Sequence, residues 1–217
     1  FVKVYRTTDK DVVFNFIDGK ISTPNKESIK YTCIKNGTIA LSSKVFRSKG
    51  KAITPSVSLV VNGKVVSPSE YKIKYSSNKN PGVAKVKLTA TEVKYVSVCS
   101  TTFLILPKKE TLKGSVSSYN SAHLSWNKQG SATGYTIMYS TDKTFNTAFK
   151  YKYITKPETT NTTFKNLKYN TKYYFKIRAY KTNVGYGKWS KTVKIKTKKN
   201  PAPATVKIKS AKKYSKT

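Results

Sequence analysis

The chain has 217 residues, 37% hydrophobic and 12% aromatic, and this size and composition favour two small domains over one large single-core enzyme. Its 43 Lys and Arg residues stand against nine Asp and Glu, and the net charge of +34 predicts an anionic partner such as a nucleic acid, an anionic lipid or a phosphate-bearing cell-wall polymer. No apolar run reaches the roughly eighteen residues of a membrane-spanning helix, so we predict no membrane span.

Residues 1–30 alternate like strands in the segments FVKVY and VVFNFI, with a turn signal at Asp18-Gly19. We interpret them as an N-terminal extension or as the end of a preceding module. The sequence begins with Phe1 rather than Met and shows no signal-peptide core, so we expect it to be a piece of a longer protein.

Residues 31–106 are predicted to form short strands, because apolar and polar residues alternate with a period of two and no helical period occurs. Asn62-Gly63, between VSLVV and KVV, predicts a tight hairpin, since both central residues of such a turn must accept positive φ. A second turn is predicted at Asn80-Pro81-Gly82. The segment TTFLIL, ending at Leu106, is the last predicted strand of this region.

In two of these strands, YKIKY and AKVKL, lysine alternates with apolar residues. Successive side chains of a strand point to opposite faces, so the lysines are predicted to cover solvated outer faces. The apolar residues that share the other faces are Tyr71, Ile73, Tyr75, Val86 and Leu88. Nucleic-acid binders usually gather their cations on one face or tail, whereas here lysines occur in strand after strand.

The segment GKAITPSVSLVVNGKVVSPSEYKIKYSSNKNPGVAKVKLTA resembles the small immunoglobulin-like modules found in tandem on secreted and surface proteins of clostridia-like Gram-positive bacteria. The likeness spans roughly residues 40–106 and implies an immunoglobulin-like β-sandwich over residues 31–106. The sequence departs from the usual pattern at TEVKYVSVCSTTF, because Cys99 stands where such modules normally have no cysteine.

Cys33 and Cys99 are the only two cysteines of the chain, and they lack the CxxC spacing of metal or redox sites. Two alternatives are open. One is a single disulfide joining an early and a late strand of the first domain, as in exported proteins; the other is a pair of small buried thiols.

Residues 107–198 carry a series of landmarks: LSW with Trp126, GYTIMYS with Tyr135 and Tyr139, LKYNTKYYFKIRAY with Leu167 and Tyr173, and GYGKWS. They resemble a fibronectin type III domain, with the Lys-rich character of clostridial surface versions. The resemblance implies a second β-sandwich with Trp126 on its second strand and Tyr135 on its third. It also implies that the Tyr173 hydroxyl bonds back to nearby backbone at the start of the sixth strand.

Residues 199–217 contain PAPATVKIKSAKKYSKT, in which a Pro/Ala segment is followed by alternating apolar and basic residues. We interpret them as a basic linker and the start of a further module. The predicted architecture is therefore all-β, with two consecutive β-sandwich domains and an array that continues.

A catalytic site is not predicted in either domain. Leu124 and Trp126 share one face of their strand and are predicted to be core residues, whereas His123 has the opposite parity and faces solvent. No activated Ser or Cys with an orienting group accompanies this histidine, and one His with two separated Cys falls short of a zinc site. Asp142 and Glu158 lie in turn-rich segments and are predicted to be solubilising or turn-forming. We predict no catalytic residue, no metal and no cofactor.

The segment YYFKIRAY provides the candidate ligand face. Its inward residues are predicted to be Tyr173, Phe175, Ile177 and Ala179, which leaves two aromatic and two cationic side chains in one outward row. This row, with a tryptophan of the adjacent last strand, consists of Tyr174, Lys176, Arg178, Tyr180 and Trp189. Such a row suits a carbohydrate or polyanion contact. The alternative is structural, with Arg178 stacked on Trp189 to knit the sheet.

The leading hypothesis is a non-catalytic spacer and binding region of a bacterial cell-surface or secreted multi-domain protein of a Gram-positive organism. We expect a monomer whose lysines bind anionic cell-wall polymers, glycans or a host surface protein through salt-dependent contacts. The alternative is a pair of accessory carbohydrate-binding modules of a larger polysaccharide-active enzyme. Nucleic-acid binding is disfavoured, because no RRM, KH, OB or helix-turn-helix signature occurs.

Overall fold

The computed structural model describes residues 15–17, 20–22, 32–91 and 94–201 and confirms the all-β prediction. Of residues 1–30, it describes the strands β1 (Asn15–Ile17) and β2 (Lys20–Ser22), which pair antiparallel. The rest of that segment and residues 202–217 of the predicted linker lie outside the described residues. Two compact units are distinguished: Phe1–Lys108 with Gly130–Thr133 and Tyr180–Gly187, and Lys109–Gln129 with Gly134–Ala179 and Lys188–Thr217.

Besides the β1–β2 pair, the first unit contains two larger sheets and a second short strand pair. The three-stranded sheet has the order β4 (Thr38–Leu41), β6 (Val57–Val61) and β7 (Lys64–Val66). The four-stranded sheet has the order β5 (Val45–Arg47), β11 (Val98–Leu106), β9 (Gly82–Ala90) and β8 (Tyr71–Ser76), with β5 parallel to β11. The short pair is β3 (Thr32–Cys33) with β10 (Tyr95–Val96), also parallel.

The core of the first unit lies between its two larger sheets. Along β9, Val86 and Leu88 are fully buried while the intervening Lys87 is exposed, as the alternation predicts. These residues meet Leu59 of β6 and Phe103 of β11 in one apolar cluster. Ile73 is 41% exposed although it shares a face with buried Tyr71, because β8 lies at the edge of the sheet and has a neighbouring strand on one side only.

The Asn62-Gly63 hairpin is confirmed. The two residues join β6 to β7 with φ of 49° and 74°, the left-handed region that both central positions of this turn require. The segment Asn80-Pro81-Gly82 likewise connects β8 to β9, and Gly82 has a φ of 155°. Each predicted turn therefore separates two antiparallel strands.

The second unit is built from two further sheets. One has the order β12 (Leu112–Ser118), β13 (Ser121–Trp126) and β16 (Asn161–Phe164). The other has the order β15 (Lys150–Ile154), β14 (Gly134–Ser140) and β17 (Lys172–Lys181), and β19 (Val193–Lys196) also pairs with β17. The last two residues of β17 pair with β18 (Gly185–Tyr186), and this short hairpin is assigned to the first unit. The strand β15 is therefore an edge strand.

Aromatic side chains from both sheets fill the interior of the second unit. The rings of Trp126 and Tyr135 lie 5.4 Å apart, and both residues are buried. Phe175 is fully buried and its ring lies 5.2 Å from that of Phe164. The large residues of the segment 124–142 thus belong to the core, as the sequence predicts, and do not line a cleft.

The corner before β17 is closed by Tyr173. The backbone N–H of Lys168 donates a 3.0 Å hydrogen bond to the Tyr173 hydroxyl. Tyr173 and Leu167 are both buried. The tyrosine corner that the resemblance implied is therefore confirmed at the start of the sixth strand of this unit.

Candidate functional site

The outward row of β17 is half-buried rather than exposed. Tyr174, Lys176, Arg178 and Tyr180 lie opposite the buried inward residues, as the alternation predicts. Other side chains, however, lie across the middle of the row. Side-chain parity predicts which face a residue joins but not what covers that face, and a role of this row in ligand binding stays a prediction.

Two rings cover the cations of this row. The Lys176 Nζ lies 4.1 Å from the ring centroid of Phe145 and 5.3 Å from that of Trp189. The Arg178 guanidinium carbon lies 4.3 Å from the Trp189 centroid. Burial, and secondarily the neighbouring Arg178, lowers the pKa of Lys176. This is the arrangement described by the structural alternative, in which cation–π contacts hold the outer face together.

A different set of aromatic side chains is open to solvent. We call Phe149, Tyr151 and Tyr153 the aromatic row; they are 42%, 41% and 62% exposed. Adjacent ring centroids within the row are 5.5 Å and 6.1 Å apart. Tyr151 also stacks on Trp189, at 6.5 Å and an interplanar angle of 15°. The aromatic row therefore continues the cation–π cluster outward onto the edge strand β15.

The aromatic row lies on the outer face of its sheet. Tyr151 and Tyr153 stand opposite Met138 and Thr136 in the register of β14, and these two positions alternate with the fully buried core residues Tyr135 and Ile137. The signal for this row was present in the sequence as aromatic residues at alternate positions of FKYKYI. This alternation does not by itself predict an exposed row, because it also occurs in strands whose aromatic residues face the core.

Asp142 organises the loop between β14 and β15. Its carboxylate accepts hydrogen bonds from the backbone N–H groups of Thr144, Asn146 and Thr147, and from the Thr144 hydroxyl. The Thr144 hydroxyl, followed by these backbone donors, holds the pKa of the Asp142 carboxyl well below its usual range. The loop presents Phe145 to Lys176, so the turn-forming role predicted for Asp142 supports the cation–π cluster.

We expect Asp142→Asn to loosen this loop. The folded pKa of Asp142 lies below the unfolded value of about 3.9, so its stabilisation is present above that value and is lost as the pH falls through the folded pKa. Amide exchange at Thr144, Asn146 and Thr147 should be faster in the variant at pH 6. Protection factors, which correct for the slower intrinsic exchange at low pH, should fall more in the parent protein than in the variant on acidification to pH 3, and an equal fall would contradict the role of the carboxylate.

The remaining candidate residues of the second unit form no catalytic grouping. The His123 ring Nδ1 pairs with the Thr163 hydroxyl at 3.2 Å, and Glu158 forms an ion pair with Lys128. Within residues 32–91 and 94–201, His, Cys, Asp and Glu side chains do not gather into a group of three or more that could hold a metal ion. In the same described ranges, no helix is long and apolar enough to cross a membrane.

The two cysteines are free thiols in the structure. Cys33 is exposed on β3, whereas Cys99 is buried in the core of the first unit. Burial, with a smaller contribution from Cys33, raises the pKa of the Cys99 thiol. The structure therefore has no disulfide between Cys33 and Cys99. The alternative of two buried thiols holds for Cys99 but not for Cys33.

Lysines directly oppose one another on the outer faces of both units. In the register of β8 and β9, Lys74 stands opposite Lys87. In that of β17 and β19, Lys172 stands opposite Lys196. All four side chains are exposed. Like charges directly across a strand pair are destabilising, so these pairs do not serve the stability of the sheets.

Comparison with known families assigns part of the chain. The model of the fibronectin type III domain matches residues 107–196, and these residues are a fibronectin type III domain. A search of curated proteins gave no match.

Among solved structures, the chain is similar to a segment of two fibronectin type III domains from chicken tenascin, with a TM-score of 0.55 and 14% identity over 74% of this chain and 98% of that one. It also matches the FN1–FN3 domains of chicken CNTN1, with a TM-score of 0.41 and 20% identity over 75% of this chain; it spans 54% of the length of that segment. A Fn3-like protein from Clostridium thermocellum matches with a TM-score of 0.35 and 25% identity, over 43% of this chain and 95% of that one. The tenascin likeness supports the sandwich fold and nothing beyond it.

Proposed function

We propose that the chain is a non-catalytic spacer and binding region of a secreted or cell-surface multi-domain protein of a Gram-positive bacterium, which attaches to anionic wall polymers or glycans through its lysines. Fibronectin type III domains commonly serve as spacer or binding modules, and residues 107–196 are such a domain. In this proposal the first unit is an immunoglobulin-like module, since its two larger sheets share one core.

The proposal rests on pairs of lysines that stand directly opposite each other on adjacent strands. Lys74 opposite Lys87 and Lys172 opposite Lys196 raise the free energy of the folded sheets. A polyanion lying across either face would neutralise the repulsion, and each such contact would be screened by salt. The lysine faces thus suit a long anionic polymer with many weak contacts.

The first test is retention on purified Gram-positive cell walls and on a heparin-type resin. We expect tight retention at low ionic strength that falls steeply between about 50 and 200 mM salt, because several screened contacts are lost together. Retention that does not change with salt would contradict the electrostatic mechanism.

The second test separates binding from stability. The substitutions Lys87→Glu and Lys196→Glu place opposite charges across the two strand pairs, which should stabilise each sheet by about 0.2–1 kcal/mol and weaken retention on the walls. Lys87→Gln and Lys196→Gln are the matched controls, since they remove the repulsion without adding an attraction. Thermal unfolding and wall retention are measured on the same samples. A loss of stability in the Glu variants would contradict the role assigned to the lysine pairs.

A further inference from the structure

The three rings of the aromatic row leave a contiguous apolar surface open to solvent. Trp189 and Phe145 already cover Lys176 on the outer face of β17. Tyr153 nevertheless remains 62% exposed, and the other two rings of the row are about two-fifths exposed. Contiguous exposed aromatic surface marks interaction sites on otherwise polar proteins. The row is therefore a candidate binding surface.

The charge around the aromatic row selects an anionic occupant. The carboxylates of the second unit are Glu110, Asp142 and Glu158, and each has a partner within that unit: Gln129, its own loop and Lys128. Lys176 lies against Trp189, and Lys188, next to Trp189 in sequence, is exposed. A second copy of this chain would bring another +34 charge to the surface and would be repelled.

We propose that the aromatic row binds an anionic polysaccharide, with sugar rings packed on Tyr151 and Tyr153 and acid groups directed to lysines such as Lys188. The inference rests on the proposed function and gives it a specific site. One face of a pyranose ring carries C–H groups that pack on aromatic rings, and the tyrosine hydroxyls can bond sugar hydroxyls.

The composition of the cations favours a polysaccharide over a nucleic acid. Base edges are read most often by the fork of arginine, and the arginines of the chain are Arg6, Arg47 and Arg178. Lysine binds carboxylate, sulfate or phosphate as a point charge without fixed geometry. Addition of a foreign strand to the edge of β15 is also disfavoured, because Lys150 and Lys152 alternate with the tyrosines along it.

The test uses the full 217-residue chain and the double variant Tyr151→Ala/Tyr153→Ala. The control is Tyr119→Ala, since Tyr119 is 50% exposed and has the Lys198 Nζ 5.5 Å from its ring centroid, but lies outside the aromatic row. Binding of oligogalacturonate, of a neutral glucan of the same length and of oligo(dT) is measured by titration calorimetry at low salt. Because Tyr151 packs on Trp189, the single variant Tyr153→Ala is included to guard against loss of folding.

We expect the double variant to bind oligogalacturonate about tenfold or more weakly, Tyr153→Ala to be intermediate, and Tyr119→Ala to match the parent. The number of salt-sensitive contacts should be unchanged, since no charge is removed. Undiminished binding by both row variants would overturn the site while leaving salt-dependent wall retention intact. Neutral glucan bound as tightly would overturn the anionic class, and oligo(dT) binding with the same dependence on Tyr151 and Tyr153 would assign the row to single-stranded nucleic acid instead.

Discussion

Replacing Phe175 by alanine should destabilise the second unit by about 3–5 kcal/mol. The Phe175 ring is fully buried, lies 5.2 Å from Phe164 and stacks at 6.1 Å on Tyr139. Truncation removes the transfer free energy of the ring and leaves a cavity between the two sheets that β17, hydrogen-bonded on both sides, cannot close. For a domain of marginal stability, such a loss approaches the whole free energy of unfolding.

Tryptophan fluorescence measures this effect in the second unit, because both tryptophans, Trp126 and Trp189, lie there. The denaturant midpoint of the fluorescence transition should fall in Phe175→Ala. Lys194→Ala is the matched control, since it truncates an exposed side chain of the adjoining strand β19 that faces no lysine and should change stability by no more than about 0.5 kcal/mol. Equal midpoints for the two variants would mean that Phe175 is not a core residue. The assignment of β17 side chains to an inward core face and an outward face would then also be wrong.

The parts of the fold that sequence predicts well are those determined by a few adjacent residues. Val86 and Leu88 are buried because a strand alternates its faces, and the Asn62-Gly63 turn forms because these residues tolerate positive φ. Tyr173 closes its corner through a hydrogen bond to Lys168, five residues upstream. In each case the cause lies within a short window of the chain.

The parts that sequence does not predict depend on which strands become neighbours. The half-burial of Arg178 depends on Trp189, and the exposure of Tyr153 depends on β15 lying at the sheet edge. Alternation alone could not tell YKYI from FKIR, although only the first leaves its aromatic residues in solvent. The surface proposed here to bind a ligand therefore lies on the edge strand β15, beside the β17 row that alternation predicted.

The alternation of apolar and polar residues does not predict buried polar contacts either. Glu110 is 4% exposed and accepts a hydrogen bond from the side chain of Gln129, whose backbone N–H donates to the Tyr135 hydroxyl. From sequence alone, a carboxylate just before a strand is predicted to be solvated, because the partner that it meets in the fold is distant along the chain. Burial of Tyr135 in turn raises the pKa of its hydroxyl, which stays protonated in the core.

Phe103→Ala should have a comparable effect in the first unit, about 3–5 kcal/mol. Phe103 is 1% exposed and packs edge-on against Phe46, with ring centroids 5.4 Å apart. It lies on β11, which pairs with β9 on one side and β5 on the other. Loss of the ring therefore removes packing from the interior of the four-stranded sheet. The strand β5 is three residues long and parallel to β11, and the Phe46–Phe103 contact joins side chains of the two strands.

The first unit contains no tryptophan, so amide exchange is the suitable measurement for this variant. Protection at Ala84, which is in register with Phe103, and at the other inward positions of β9 should fall in Phe103→Ala. The control Thr102→Ala, an exposed neighbour on the same strand, should leave this protection nearly unchanged. Because Lys85 and Lys87 are displayed by β9, loss of its order should also weaken wall retention. Retention that survives unfolding of this sheet would show that charge density alone, without the folded lysine faces, accounts for binding.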